Sequence, residues 1–271
     1  MDTKMTKIDD GATKGKGLVT TELAQLYKDN AGVGHDDLGR EDYALPFLKI
    51  LQGLSPEIQR GDPKFIPGAK QGDLVNSVTG ETYDGEHGVR VVRVAFEKKY
   101  IEWRPRKAGG GLVKIFDTFD AALSDRIPPI GNADTDTEII ETAQVFCLVE
   151  TAAGWQPAVM SLTKSKLKAS RAWNALMAEQ TYQKWGIPGD PNEALPHAAM
   201  IYRVRTVSKT NPKGTFFVPV VDRAEVVPTP AVVFGRAMEF RKVVRAGRVK
   251  VKLERDEDLD AVPGDDKARG Y

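Results

Sequence analysis

The chain has one cysteine and three histidines among its 271 residues. A lone cysteine cannot form an internal disulfide, and Cys147, set in AQVFCLVE, reads as a small apolar core residue. A chain this poor in cysteine suits a reducing, cytoplasmic compartment. His35, His87 and His197 lie far apart with no ligand spacing around them, so no zinc site can be argued. No apolar run approaches membrane-spanning length, which speaks against a membrane partner. The N-terminal MDTKMTKIDDGATKGKG lacks the apolar segment of a secretory signal. Gly109-Gly110-Gly111 is not followed by the Lys-Ser/Thr of a phosphate-cradling loop, and no Ser sits in a G-x-S-x-G elbow. Asp134, Asp136, Glu138 and Glu141 are close enough in sequence to hold a metal, but a solvated acidic loop explains them at least as well. The expectation is a protein without a cofactor, and not an enzyme.

Charge is plentiful but uneven. Residues 1–39 carry five Lys and seven Asp or Glu, and residues 254–271 three Lys or Arg and seven Asp or Glu. That leaves 31 basic against 24 acidic groups in residues 40–253. A basic body between acidic ends points to an anionic partner, and to a tail that competes for the same surface. A solvated surface with frayed ends is the plainer explanation.

The stretch that organises the chain is GVRVVRVAFEKKYIEWRPRKAGGGLVKIF, from Gly88 to Phe116. Val89, Val91, Arg93 and Ala95 alternate with Arg90, Val92, Val94 and Phe96, the period of a half-buried strand. Beyond that, Ile101 and Trp103 carry the apolar face, opposite Lys98, Tyr100, Glu102 and Arg104. This change of phase predicts a bulge near Lys98-Lys99, of the kind small barrels use to bend a long strand. Pro105 has no N–H for a ladder and ends the strand. The glycines that follow make the connection to a return strand, Leu112 to Phe116.

Around this stretch, residues 1–40 predict a mostly disordered arm, with one short helix over Leu18–Tyr27. Phe47–Leu51 fits a buried strand or a helical turn. Residues 53–72 predict loop. Residues 73–78 and 81–83 form a hairpin turning at Thr79-Gly80. Asp117 to Asp136 predicts a surface excursion. Glu138–Glu150 and Trp155–Leu162 predict paired strands. Thr163 caps a helix running to about Trp185, with Leu167, Ser170, Trp173, Leu176 and Met177 on one face. Gly186 to Pro196 is loop. Ala198–Ser208 and Thr215–Val221 form a second hairpin, Pro230 to Ala246 a helix, and residues 254–271 a disordered acidic tail. Many strands with two main helices describe a β-rich α+β domain spanning residues 41–253.

Two stretches combine cations with rings on predicted strands. The first holds Phe96, Lys98, Lys99, Tyr100, Trp103, Arg104, Arg106 and Lys107. The second holds Tyr202, Arg203, Arg205, Lys209, Lys213 and Phe216, with Phe217 beside them. Single-stranded nucleic acid asks for both ingredients: cations for phosphates and rings for unpaired bases. Core packing accounts for Trp103 and Phe216 equally well, and protection of an edge strand accounts for Lys98 and Lys99.

The segments DYALPFLKILQGLSPEI, GAKQGDLVNSVTGETYDGEHGVRVVRVAFEKKYIEWRPRKAGGG and SKTNPKGTFFVPVV resemble bacteriophage single-stranded DNA-binding proteins. The resemblance covers residues 42–222 and is strongest over 68–111. It implies an OB-like antiparallel β-barrel with helical additions and a role in phage DNA replication or recombination, in the host cytoplasm. It also implies that the strand Phe96–Arg106 and the hairpin around Lys209–Phe217 face the DNA. Many such proteins end in an acidic tip closed by an apolar pair. This chain instead ends Lys267-Ala268-Arg269-Gly270-Tyr271, which puts recruitment of replication or recombination proteins by its tail in question. Two other readings stand beside this one. One is a phage structural or scaffold protein. The other is a metal-dependent DNA-processing enzyme built on the Asp134–Glu141 loop.

Overall fold

A computed structural model describes residues 25, 26, 28, 29, 45–212, 214–227, 230–249, 251 and 253. Most of the predicted N-terminal arm and all of the acidic tail lie outside the described residues. Of the helix predicted over Leu18–Tyr27, residues 25 and 26 are described, and both are helical. The chain divides into Met1–Tyr43 and Ala44–Tyr271, and the strands and helices that follow belong to the second unit.

Among the described residues, nine strands make two antiparallel sheets. The smaller joins β1 (Leu48–Ile50), β2 (Leu74–Asn76) and β3 (Thr82–Tyr83) in that order. Gly80, at φ +70°, turns the β2–β3 hairpin where the sequence places it. The larger holds β4 (Val89–Trp103), β5 (Leu112–Phe116), β6 (Glu138–Thr151), β7 (Gly154–Thr163), β8 (Met200–Asn211) and β9 (Gly214–Val226). Its order is β7-β6-β4-β8-β9, with β5 added on β4. Among the described residues of this unit the helices are α1 (Phe119–Asp125), α2 (Leu167–Ala178), α3 (Tyr182–Trp185) and α4 (Pro230–Arg245). The fold is β-rich α+β, a curled antiparallel half-barrel of the OB-like kind with helical additions.

The large sheet is covered on both faces. Val89, Val91, Val145, Cys147 and Met160 point to the side of the small sheet and α2, where Trp173 and Met177 meet them. Val92, Val94, Phe146, Leu148 and Ile201 point to α4, which supplies Val233, Ala237, Phe240 and Val244. Two covered faces explain the unbroken apolar run Val145–Val149 in β6, whose residues alternate between the two cores. Cys147 is fully buried, and burial raises its thiol pKa to about 12.

The bulge in β4 sits elsewhere than the sequence pattern suggests. The register against β6 slips between Arg93 and Ala95, not at Lys98-Lys99. Val94 and Ala95 therefore both face α4, and Phe96 returns to the face of Arg93. The site follows from topology. β8 pairs with β4 only over Val89–Val92, and β5 only from Tyr100 onward. Between them one edge of β4 is unpaired by any strand, and there the Arg241 guanidinium donates to the Val94 carbonyl at 2.8 Å.

Two further differences are local. The excursion after β5 contains α1, capped by Thr118, whose hydroxyl accepts from the Ala121 amide. The segment that follows α1 is tied down by the buried Glu102 carboxylate, which accepts from the Ile127 amide and the Thr137 hydroxyl. The single helix predicted from Thr163 to Trp185 is instead a 3-10 turn, then α2, then α3. Buried Gln180 makes the break. Its amide donates to Leu176 O and its carbonyl accepts from Trp185 Nε1, while Thr181 caps α3.

The small sheet grips the β8–β9 hairpin. Gln52 exchanges two hydrogen bonds with the Phe217 backbone, both 2.8 Å. The Phe217 ring lies so close to Gly72 that a Cβ there would stand 2.6 Å from a ring carbon. A Cβ on Gly85 would meet Gly72 O at 2.0 Å. Only glycine permits either approach.

Candidate nucleic-acid interface

The predicted residues fall into two groups that the fold holds apart. β8 runs antiparallel to β4 with Val204 opposite Val89, so Lys209 lies beyond the start of β4. Tyr100 to Lys107 lie at its other end. At about 3.3 Å per residue the two groups sit at opposite ends of the sheet, not on one groove floor.

In the first group, Trp103 is a core residue packed with Ile101 and Ile140, and offers no ring to a base. Tyr100 is half-buried, its ring 5.4 Å from that of Phe119. Phe96 is also half-buried, under the Arg93 guanidinium at 4.9 Å. Lys98 pairs with Glu141 at 3.3 Å, and Lys107 with Asp134 at 2.7 Å. Lys99 pairs with Asp117 at 2.6 Å and with Glu97 at 3.3 Å. The Asp117 contact and Glu97 raise the Lys99 pKa against the opposing effect of its burial. Arg104 is exposed, and Arg106 begins the 3-10 turn Arg106–Ala108. Phosphates approaching this face compete with carboxylates already in place.

In the second group, Tyr202 is buried edge-on against Trp173, and its desolvated hydroxyl has a raised pKa. Arg203 is half-buried and donates to His87 O, and Arg205 pairs with Asp222 at 2.6 Å. Lys213 lies outside the described residues. Lys209 is exposed, and stands opposite Phe216 across the β8–β9 ladder. Phe217 packs inward against Gly72, so its neighbour Phe216 takes the other face of the hairpin. Residues opposite each other across a ladder share a face, so Lys209 and the half-buried Phe216 lie on the same side of the hairpin.

The acidic loop has structural employment. Asp136 accepts from the amides of Ile130 and Gly131, and Asp134 holds Lys107. No group of three metal-ligating side chains occurs among the described residues.

The sequence also left out a cavity of about 650 Å³ beside the unpaired edge of β4. Its walls include Arg93, Phe96, Asn174, His197, Arg241 and Arg245. The one signal was Arg93 itself, a cation on the apolar phase of Val89, Val91 and Ala95.

The architecture is thus that of an OB-like, β-rich protein with a cationic hairpin and a cationic cavity. The chain belongs to the Pam3 phage gp34-like protein family, whose model matches residues 13–250. It is a phage-family protein, as the sequence resemblance implies. No curated protein and no solved structure matches the chain. No helix among the described residues is long and apolar enough to cross a membrane.

Proposed function

We propose that the protein binds single-stranded DNA without strong sequence preference, in phage DNA replication or recombination. The observation that carries this reading is the β8–β9 hairpin. It carries the exposed Lys209 and the half-buried Phe216 on one face, a phosphate-neutralising group and a ring on whose open side a base would stack. The excess of basic groups in residues 40–253 supports it. Lys98, Lys99, Tyr100 and Arg104, at the other end of β4, would extend the contact once phosphates displace the carboxylates there. The acidic residues 254–271 would compete for the same cations and be available to replication or recombination proteins when DNA displaces them.

Fluorescence anisotropy with labelled oligonucleotides tests this. Single strands should bind more tightly than duplex of the same length, because stacking needs unpaired bases. Affinity should fall with salt, by about 0.7 counterions per neutralised phosphate. Equal affinity for duplex, or a flat salt response, refutes the assignment.

One observation favours the phage structural reading. Leu112, Ile115, Leu123, Ile127 and Ile130 are exposed on β5, α1 and the segment after it. Apolar groups clustered in this way mark contacts between proteins. Concentration-dependent assembly that Ile115→Asp abolishes, in a protein with no oligonucleotide affinity, would select that reading.

A further inference from the structure

Arg93 is 2 % exposed, yet no carboxylate among the described residues acts on it. One terminal nitrogen donates to Asn174 Oδ1 at 2.6 Å and lies 3.2 Å from Met177 Sδ. Its Nε is buried with no hydrogen-bond partner at all. The guanidinium is held between the Phe96 and Trp173 rings, 4.9 and 5.4 Å from their centres. Burial pushes its pKa down to about 10, and the ionisable groups that act on it are Tyr202 and Cys147, both neutral at physiological pH. A buried cation without a counter-charge is costly, and proteins retain one where something else supplies the charge.

The cavity next to it gathers more positive charge. Arg241 and Arg245 enter from α4, and His197 from the turn before β8. Among the described residues, no Asp or Glu lines it. Three guanidiniums around one space match an anion with several oxygens, since each presents N–H groups in a planar fork. The Val94 bulge brings Phe96 onto the Arg93 face, and the Val94 carbonyl anchors Arg241. Both depend on the gap between β8 and β5, so this solvent-open cavity follows from the sheet's topology. At about 650 Å³ it falls within the range of small-molecule sites.

We propose that this cavity, between the Arg93 edge of β4 and the arginines of α4, is a binding site for a phosphate group. The group belongs either to a free nucleotide or to a DNA strand. The cavity does not depend on the hairpin assignment, since it shares no residue with Lys209 and Phe216.

The test follows the His197 ring signals by NMR in the full-length protein. His197→Gln identifies them among the three histidines. Inorganic phosphate, a nucleoside monophosphate, and an oligonucleotide with or without a 5′-phosphate are titrated in turn. A bound phosphate should shift the His197 signals saturably. Arg93→Gln should weaken this at least about tenfold, the scale of losing a charge-assisted hydrogen bond. Arg93 is buried, so Arg245→Ala, at the exposed end of α4, gives a second readout in a variant that keeps the core. It should weaken binding by about threefold to tenfold.

If the free phosphate compounds bind, the site takes a nucleotide or a strand end. If only oligonucleotides respond, with or without the 5′-phosphate, and both variants weaken them, the site takes backbone phosphates. Phosphate binding without any oligonucleotide affinity removes the nucleic-acid reading and keeps the cavity. Silence of His197 towards all four, or affinities unchanged in both arginine variants, overturns the proposal and leaves a water-filled vestibule around Arg93.

Discussion

Lys209 and Phe216 are directly opposed across the β8–β9 ladder, a cation and a ring on one face of a hairpin whose other face packs on Gly72. The inward side is fixed by Phe217 and by the paired hydrogen bonds of Gln52. The side that carries Lys209 and the half-buried Phe216 is held by the same contacts, and a ligand would lose little entropy ordering it. Phe216→Ala should weaken binding of a single-stranded oligonucleotide by roughly 1–3 kcal/mol. The melting temperature should stay close to that of the parent. Phe217→Ala is the control: it should unfold the protein at lower temperature whatever it does to binding.

The neighbouring ring pair gives the opposite contrast. Trp103 is packed with Ile101 and Ile140, so Trp103→Ala should cost about 3–5 kcal/mol of stability. Denaturant unfolding measures it. Tyr100 rests on Phe119 and is half-buried, so Tyr100→Ala should cost less stability than Trp103→Ala and should lower oligonucleotide affinity. An unaffected affinity would confine the interface to the hairpin.

Much of this fold is legible in the sequence, and the exceptions share a cause. The long strand from Val89, the turn at Gly80, the hairpin carrying Phe216 and the helix from Pro230 are local patterns and stand where the sequence puts them, but the strand is buried on both faces where its period of two predicts one. The bulge stands elsewhere. Its position is set by where β8 leaves β4 and by Arg241, which reaches Val94 from 147 residues away. The break after Ala178 depends on how Gln180 is buried, which periodicity does not record. The cavity is a similar case. Arg93 was visible as a cation out of phase with its neighbours, but its companions come from separate elements. Lys98, Lys99 and Lys107 were legible as cations. Their carboxylate partners were not, because Asp117, Asp134 and Glu141 are near them only in three dimensions.

His197 makes stability depend on pH. Desolvation, then the charges of Arg93 and Arg241, lower its pKa from 6.5 to about 4, although the residue is exposed on one side and solvent screens part of this effect. Arg245 also faces the cavity, and among the described residues no carboxylate does. Above pH about 6.5 the ring is neutral folded and unfolded, and this contribution is complete. As pH falls towards 4, the unfolded chain takes up a proton that the folded protein refuses, so stability falls. Thermal unfolding between pH 7 and 4 should show the loss, and His197→Gln should flatten that part of the profile. A bound anion would offset the two guanidiniums, raise the folded pKa towards 6.5 and make the loss smaller.

The acidic tail provides the last prediction. Seven carboxylates between Glu254 and Asp266 are covalently tied to a body with a basic excess. Tethering raises their effective concentration near any cationic surface, so they act as an intramolecular competitor for phosphates. Truncation after Leu253 should tighten oligonucleotide binding at low salt. The difference should shrink as salt screens the competition, since exposed charges more than about 8–10 Å apart are largely screened at physiological ionic strength. Anisotropy titrations of the two proteins at several salt concentrations read both effects. If the affinities coincide at low salt, the tail does not reach the cations that hold DNA, and its role is solubility or contact with other proteins.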